Sequence, residues 1–182
     1  MLELNFDPFP ELQTERLLLR KISMDDASEM LVLRTDINTM RFLDKTKPTS
    51  IQEMYDLVSK INDGIKQNNN IGWGITLLNS NKLIGMIGYH RIVKEHYRAE
   101  IGYMLLPSEW KKGYMNEAIK RVIDFGFHSM KLHSIEANIN PNNIASAQLL
   151  KKNHFIKEAY FKEDYYFNGK FLDSEIYSLL NS

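Results

Sequence analysis

The chain has 182 residues, of which 43% are hydrophobic, with 23 basic and 23 acidic side chains and no cysteine. This length fits one domain of ordinary size, so we expect a single domain over residues 1–182. The balanced charge argues against general affinity for nucleic acids, and the missing cysteines exclude disulfides, thiolate nucleophiles and cysteine-bound metals. No apolar run approaches the ~18 residues of a membrane span and no secretory signal is visible, so we expect a soluble cytoplasmic protein.

The first third of the chain predicts one strand and two helices. Residues 16–22 read as a strand, and Ser23 is the expected N-cap of the first helix. Ser50 and Glu53 have the spacing of a capping box, which predicts a second helix from there to about Lys66. The expected apolar positions of the first helix are Met30, Leu31, Leu33 and Ile37.

The remaining two thirds predict six strands and two helices. The expected strands cover residues 72–78, 82–89, 97–105, 133–139, 155–161 and 173–180. One helix is expected from Tyr114 to about Met130 and another from an Asn143 N-cap to about Asn153, while Asn168-Gly169 is a hairpin turn signal. The order β-αα-βββ-α-β-α-ββ predicts an α/β (α+β) domain with a mixed, mostly antiparallel sheet. Since a helix joins strands 97–105 and 133–139, they should be parallel neighbours.

A short basic loop precedes the helix that begins at Tyr114. The N–H groups of a first helical turn have no intrahelical partners, and the helix dipole adds partial positive charge there. Lys111 and Lys112 raise the local potential further. The loop therefore predicts an anion site, with a pyrophosphate as the expected guest. We expect Trp110 to fix the entry to this loop and Glu117 to complement the helix dipole.

Four short motifs occur in one order along nearly the whole chain. They are Leu83-Ile84-Gly85-x-Ile87-Gly88, Ala99-Glu100-Ile101-Gly102-Tyr103, Trp110-x-x-Gly113-Tyr114-x-x-Glu117-Ala118 and Asn143-x-x-Ser146. Each motif alone is weak, but together they resemble the GNAT superfamily of acetyl-CoA-dependent N-acetyltransferases. The likeness is strongest to the branch that contains the ribosomal-protein N-terminal acetyltransferases. It implies a splay between the two parallel strands, with the pantetheine arm of coenzyme A in the opening.

The resemblance also implies a set of coenzyme-binding residues. The pantetheine amides would pair with the backbone of Tyr103, Met104 and Leu105. The pyrophosphate would lie on backbone N–H groups of the loop and first helical turn, which comprise Lys111, Lys112, Gly113, Tyr114, Met115 and Asn116. Asn143 would hold the coenzyme or shape its loop. The family often has glycine at the positions of Lys111 and His154 and a small residue at that of Met115, so we expect the Met115 side chain to point away from the loop.

Acetyl transfer to an amine requires a proton acceptor for the amine and a proton donor for the departing thiolate. With no cysteine and no metal motif, direct attack by the amine is the simplest route. Ser146 is the candidate thiolate acid or its positioning group, although it reads equally well as a first-turn serine. Glu100 is the candidate base, through water, with a pKa that burial would raise. The other interpretation of Glu100 is a structural partner for Arg91 or Arg98.

The sequence leaves the acceptor open. A protein N-terminal α-amine is favoured by the branch-level likeness, and a small amine such as a polyamine, an aminoglycoside or an amino acid is the alternative. A non-catalytic acyl-CoA-binding module is a third reading. Loops 44–50 and 162–170 are expected to shape the acceptor pocket, and four late carboxylates would suit a cationic acceptor: Glu158, Glu163, Asp164 and Asp173.

Several aromatic and histidine side chains are assigned packing or surface roles. Trp73 is expected in the core, and Tyr165 and Tyr166 are expected to pack rather than to line the acceptor pocket. The five histidines show no metal-ligand spacing, so no metal is expected. The chain is expected to be a monomer or a homodimer that binds acetyl-CoA and an amine, with no nucleic-acid or membrane partner.

Overall fold

The apolar runs form one eight-stranded sheet in a computed structural model that describes residues 1–181. The strands are β1 (Leu12–Gln13), β2 (Leu17–Lys21), β3 (Ile71–Leu77), β4 (Gly85–Val93), β5 (Arg98–Leu105), β6 (Ser134–Ile139), β7 (Ile156–Phe167) and β8 (Lys170–Leu180). Their spatial order is β1-β2-β3-β4-β5-β6-β8-β7. All neighbours are antiparallel except β5 and β6, which are parallel. The predicted mixed, mostly antiparallel sheet is confirmed.

Four α-helices flank this sheet in the described part of the chain. They are α1 (Ala27–Thr35), α2 (Ile51–Lys66), α3 (Tyr114–Asp124) and α4 (Ile144–Lys152), and α3 continues as a π-helical turn at Phe125–Ser129. Trp73 is fully buried, as predicted, and packs edge-on against Phe125. The buried Tyr89 hydroxyl donates to the Val122 carbonyl at 2.9 Å, which ties the sheet to α3. No helix within residues 1–181 is both long and apolar enough to cross a membrane.

Two local predictions in the helical region are wrong. Ile37 lies beyond the end of α1 and is 72% exposed, because the helix stops at Thr35 and Asp36 leaves the helical conformation. The capping box between Ser50 and Glu53 does not form. The Glu53 carboxylate instead accepts from the Thr49 N–H at 2.9 Å and the Thr49 hydroxyl at 2.8 Å, since that residue offers two donors together.

The strands also differ from their predicted bounds. The two closing strands run as far as Phe167 and resume at Lys170, so β7 and β8 form a long hairpin. Asn168 and Gly169 turn it with φ values of 47° and 81°, the left-handed conformations that a tight hairpin needs. The two-residue β1 has too few residues for a periodic signal in the sequence.

Candidate active site

Strands β5 and β6 are paired over only half of their length. The parallel register runs from Arg98↔Ser134 to Glu100↔Glu136 and then stops, although β5 continues to Leu105 and β6 to Ile139. The two strands therefore diverge, and a gap opens between residues 101–105 and 137–139. The predicted splay is present at the predicted strand pair.

A β-bulge lies beside the point of divergence. The register of β4 against β5 shifts between Tyr89 and Arg91, so His90 has no partner residue on β5. Bulges bend a strand and increase its local twist. This bulge lies opposite the residues Glu100 and Ile101, where β5 leaves β6, and it accounts for the change in direction of β5.

Backbone groups of β5 face the gap at alternate residues. The N–H of Leu106 donates to the Ile84 carbonyl at 2.9 Å, so the even-numbered residues of this segment, including Met104, direct their backbone groups toward β4. Tyr103 and Leu105 then direct theirs into the gap. The Leu105 carbonyl accepts the Trp110 indole N–H at 2.8 Å, which fixes the entry to the next loop.

The loop before α3 has the backbone conformation of an anion site. Lys111 and Gly113 both adopt left-handed conformations, with φ values of 61° and 83°. Gly113 is the N-cap of α3 and offers no side chain, so the N–H groups of the first turn have no side-chain acceptor among the described residues. Lys112 pairs with Glu109 at 3.0 Å, whereas Lys111 makes no salt bridge within residues 1–181. These features favour a bound phosphate at this helix terminus.

Glu117 anchors the first turn of α3 to the opposite edge of the sheet. Its carboxylate accepts from the Thr14 hydroxyl at 2.6 Å, the Arg16 N–H at 2.8 Å and the Arg16 guanidinium at 2.7 Å. These hydrogen bonds hold the pKa of Glu117 below its usual value, although burial acts in the opposite direction. Arg16 also donates to the Lys112 carbonyl at 3.0 Å. The carboxylate therefore holds the loop in place and leaves the N–H groups of the helix free.

The other residues of this helix start are directed inward. Met115 is half-buried and packs against the core, as expected of a side chain that turns away from the loop. Tyr114 packs against the same core, and the Arg16 guanidinium lies 4.7 Å from the centre of its ring. The Asn116 side-chain carbonyl accepts from the buried Asn153 amide at 3.1 Å, which joins α3 to the end of α4. The next residue, His154, has a φ of 66°, the conformation for which the family often has glycine.

The start of α4 brings a hydroxyl pair to the gap. The Asn143 side chain accepts from the Ser146 N–H at 3.1 Å, so Asn143 is the N-cap of this helix. The Ser146 hydroxyl is 2.7 Å from the Tyr103 hydroxyl, and Ser146 is buried. Burial raises the pKa of Tyr103 to about 12, against the opposing effect of the Ser146 hydrogen bond. The hydroxyl pair connects β5 with α4 across the line of divergence.

Glu100 lies at the apex of the gap and pairs with a histidine. Its carboxylate is 3.2 Å from Nε2 of His90. The hydrogen bond from His90 lowers the pKa of Glu100, and the charges of Arg91 and Lys45 add to this effect, so they outweigh burial. The expectation of a raised pKa is therefore wrong, because the sequence did not show that a donor would face the carboxylate.

A cavity of about 670 Å³ adjoins the apex and extends away from the loop before α3. His90, Glu100 and Tyr103 lie in its wall, together with residues 138–140 of β6 and the following turn. The far wall is formed by α1, α2, the loop around Asp44 and the hairpin of β7 and β8. Tyr165 lines this cavity, contrary to expectation, and its hydroxyl donates to the Asp44 carbonyl at 3.2 Å, which joins the hairpin to the loop.

Known families agree with this geometry. Residues 16–156 match the model of the acetyltransferase (GNAT) domain, which is most of the chain. This chain is a GNAT N-acetyltransferase. It shares 33% identity over 172 residues with the uncharacterized N-acetyltransferase YoaA of Bacillus subtilis, an alignment that spans 94% of this chain and 97% of YoaA.

Solved GNAT structures have the same fold. A GNAT acetyltransferase from Bacillus anthracis, 29% identical, superposes with a TM-score of 0.83 over 94% of this chain and 98% of that one. RimL, a ribosomal L7/L12 α-N-protein acetyltransferase solved in complex with coenzyme A, gives a TM-score of 0.86 at 21% identity, over 94% and 98% of the two chains. At that identity the likeness concerns the fold alone.

The residues of this GNAT chain fit the coenzyme. Acetyl-CoA supplies the activated acetyl group, and its diphosphate and amide-bearing arm need donors and acceptors of the kinds found here. The loop at Lys111–Gly113 exposes backbone N–H groups at a helix start, and Tyr103 offers an unpaired edge in the gap. Residues 1–181 contain no cluster of three or more metal-ligating side chains.

His90 is the functional candidate that sequence reasoning missed. It was grouped with the surface and packing histidines because the five show no metal-ligand spacing. The bulge in β4 turns it toward Glu100, and Gly102 leaves the space for its ring, since a Cβ at Gly102 would lie 3.1 Å from Nδ1. His90 on β4 and Gly102 on β5 are both visible in the sequence, but their proximity can be inferred only once the position of the bulge is known.

Proposed function

We propose that this acetyltransferase moves acetyl from acetyl-CoA to a primary amine by direct attack. The observation that carries the proposal is the gap itself, with an uncapped helix start at one end and the Glu100–His90 pair at the other. The amine nitrogen bonds to the thioester carbon, the carbon–sulfur bond breaks, and the amine loses a proton while the thiolate gains one. The helix start at one end of the gap holds the coenzyme, and the Glu100–His90 pair at the other end accepts the amine proton.

The amine proton passes to the Glu100–His90 pair. A carboxylate whose pKa lies below its usual range is a weak base near neutral pH, so Glu100 alone is poorly matched to this task. An imidazole is better suited to accept a proton near neutrality. His90 therefore accepts the proton, and Glu100 holds its ring through the 3.2 Å contact.

The departing sulfur is served by the hydroxyls of Ser146 and Tyr103. With a pKa of about 12, the Tyr103 phenol stays protonated at neutral pH and donates a hydrogen bond more readily than it gives up its proton. The pair at 2.7 Å therefore stabilises and positions the thiolate, and water supplies the final proton. The sequence left two roles open for Ser146, that of the thiolate acid and that of a positioning group. We assign it the second.

The acceptor that we propose is an N-terminal α-amine of a peptide or protein. RimL, which has the same fold, is an α-N-protein acetyltransferase of ribosomal L7/L12. The cavity of about 670 Å³ is large enough to admit the first residues of an extended chain. A free amino acid or another small amine would occupy the same space.

A turnover screen tests this function. The purified chain is incubated with acetyl-CoA and a panel of peptides, amino acids, polyamines and aminoglycosides, and released thiol is measured. We expect release above the amine-free rate for at least one acceptor, with the acetyl group found on its amine by mass spectrometry. Thermal stabilisation by acetyl-CoA without thiol release from any amine would contradict the proposal and favour a coenzyme-binding module.

A further inference from the structure

Three cationic side chains line the acceptor end of the cavity. They come from distant parts of the chain: Arg34 from the last turn of α1, Lys45 from the following loop and Lys60 from α2. None of the three belongs to the four sequence motifs. Their shared position on one wall is a product of the fold, and the coenzyme loop lies at the other end of the gap.

None of these three cations is paired within residues 1–181. Arg34, Lys45 and Lys60 make no salt bridge and no side-chain hydrogen bond to any described residue. Arg34 is half-buried, and burial lowers the pKa of its guanidinium. Lys45 is more exposed, yet desolvation lowers its pKa, and the charges of Arg34 and Lys60 lower it further against the opposing effect of Glu100. A half-buried arginine without an ion-pair partner among the described residues, with two unpaired lysines close enough to influence each other, favours an anionic group at this part of the cavity.

Most of the carboxylates on the same wall already have partners. Glu100 is paired with His90 at 3.2 Å, and Asp164 accepts from the Ser174 hydroxyl at 2.8 Å. Asp173 accepts from the Tyr160 hydroxyl and from the Glu163 N–H. Asp44 alone has no side-chain partner, and burial raises its pKa. Of the four late carboxylates expected to suit a cationic acceptor, Asp164 and Asp173 line the cavity, whereas Glu158 and Glu163 lie outside its wall.

We infer that the acetyl acceptor carries a carboxylate close to its amine, and that Arg34 and Lys45 bind this carboxylate. The inference rests on the proposed function and names the substrate class for the same site. A free amino acid and a peptide with acidic residues behind its N-terminus both present this chemistry. A polyamine does not, because it has no carboxylate for Arg34 and Lys45 to bind.

Matched acceptors separate these cases. Thiol release is measured with an amino acid and its α-amide, and with two peptide amides that begin Ser-Asp-Asp or Ser-Asn-Asn. We expect the carboxylate member of at least one pair to have a kcat/KM about tenfold or more above its neutral partner, because charge-assisted hydrogen bonds to arginine are strong. A difference within the amino-acid pair shows that the enzyme recognises an α-carboxylate. A difference within the peptide pair shows that it recognises the carboxylate of an acidic side chain.

Two variants and a control test whether Arg34 and Lys45 cause the preference for a carboxylate acceptor. Arg34→Gln and Lys45→Gln should raise the KM of the preferred acceptor about tenfold and leave its neutral partner within twofold. Lys82→Gln, on an exposed residue outside the cavity, should change neither. The dissociation constant of acetyl-CoA should stay the same in all three, and melting temperatures will show that they fold.

Other results would overturn the inference in distinguishable ways. Equal turnover of neutral and carboxylate acceptors, or a preference for spermidine, would reject the carboxylate while leaving the acetyltransferase function intact. A loss of acetyl-CoA affinity in Arg34→Gln would show that these cations bind the coenzyme. Absence of thiol release with every acceptor would reject the proposed function itself.

Discussion

The coenzyme end and the acceptor end of the gap are built from different parts of the chain. The coenzyme end uses one continuous segment, from β5 through the loop at Lys111–Gly113 into α3, and its groups are backbone N–H and C=O. The acceptor end is assembled from α1, α2, the Asp44 loop, strands β3 to β6 and the β7–β8 hairpin. A continuous backbone site leaves a motif in the sequence, whereas a wall assembled from so many separate elements does not. The two ends should therefore respond to mutation differently, with affinity changing at one and turnover at the other.

The largest expected effect is at the acceptor end, in the Glu100–His90 pair. His90→Gln should lower kcat about 100-fold, because it removes the group that takes the amine proton. The pH–rate profile of the wild type locates that group. If Glu100 itself were the base, its lowered pKa would put the acid limb below the usual range of a carboxyl group.

Glu100→Gln sharpens the same test. The carboxylate holds the ring of His90 through the 3.2 Å contact, so its loss should lower kcat, but by less than the loss of the imidazole. The acetyl-CoA dissociation constant should stay within twofold in both variants, as measured by calorimetry. An acid limb below the usual range of a carboxyl group in the wild type, or an unaltered kcat in His90→Gln, would reject this assignment and return the base to Glu100 or to water.

The next effect belongs to the coenzyme end. Gly113→Asp should raise the dissociation constant of acetyl-CoA about 30-fold, because a carboxylate would lie beside the helix start that binds the diphosphate. Gly169→Asp is the matched control, since Gly169 has a φ of 81° against 83° for Gly113 and open space around it. Both variants add the same charge at nearly the same φ, and they differ in that a Cβ at Gly113 would lie 3.3 Å from the Arg16 guanidinium. Equal affinity loss in both, or none in Gly113→Asp, would place the diphosphate elsewhere.

The smallest of the three effects is expected at Ser146, which lies between the two ends of the gap. Ser146→Ala should lower kcat about tenfold with little change in acetyl-CoA affinity, because it removes one hydrogen bond to the departing sulfur. Ser178→Ala is the control, since both serines are 7% exposed and Ser178 lies on β8, away from the gap. If the affinity falls as much as kcat in Ser146→Ala, the hydroxyl binds the coenzyme and has no separate role at the sulfur.

The same contrast explains what the sequence could and could not predict. The parallel strand pair, the helix start at Tyr114 and the Asn143 cap were readable because each depends on local residues. The β4 bulge was not, because Tyr89-His90-Arg91 has no turn or glycine signal, and without it neither His90 nor the lowered pKa of Glu100 could be foreseen. Left-handed backbone at Lys111 and His154 was signalled only by the resemblance to a family that often has glycine there, since neither residue is glycine in this chain.

The acceptor wall was the least predictable part. Arg34 and Lys60 belong to no motif of the sequence, and only the packing of α1 and α2 beside the sheet places them on one cavity. Loops 44–50 and 162–170 were expected at the acceptor pocket, but the strand before the Asn168-Gly169 turn was expected to end near residue 161, so the particular contact of Tyr165 with the Asp44 carbonyl was not foreseen. Pairwise charges between distant segments depend on tertiary structure and leave no pattern in the sequence.

Residue-resolved amide hydrogen exchange, with and without acetyl-CoA, tests the gap most directly. Binding should slow exchange at Tyr103, at Leu105 and in the first turn of α3, because a ligand arm would cover groups that no strand pairs. Arg98–Glu100, already paired with β6, should change little. Saturating acetyl-CoA that leaves Tyr103 and Leu105 exchanging at their free rates would contradict the account.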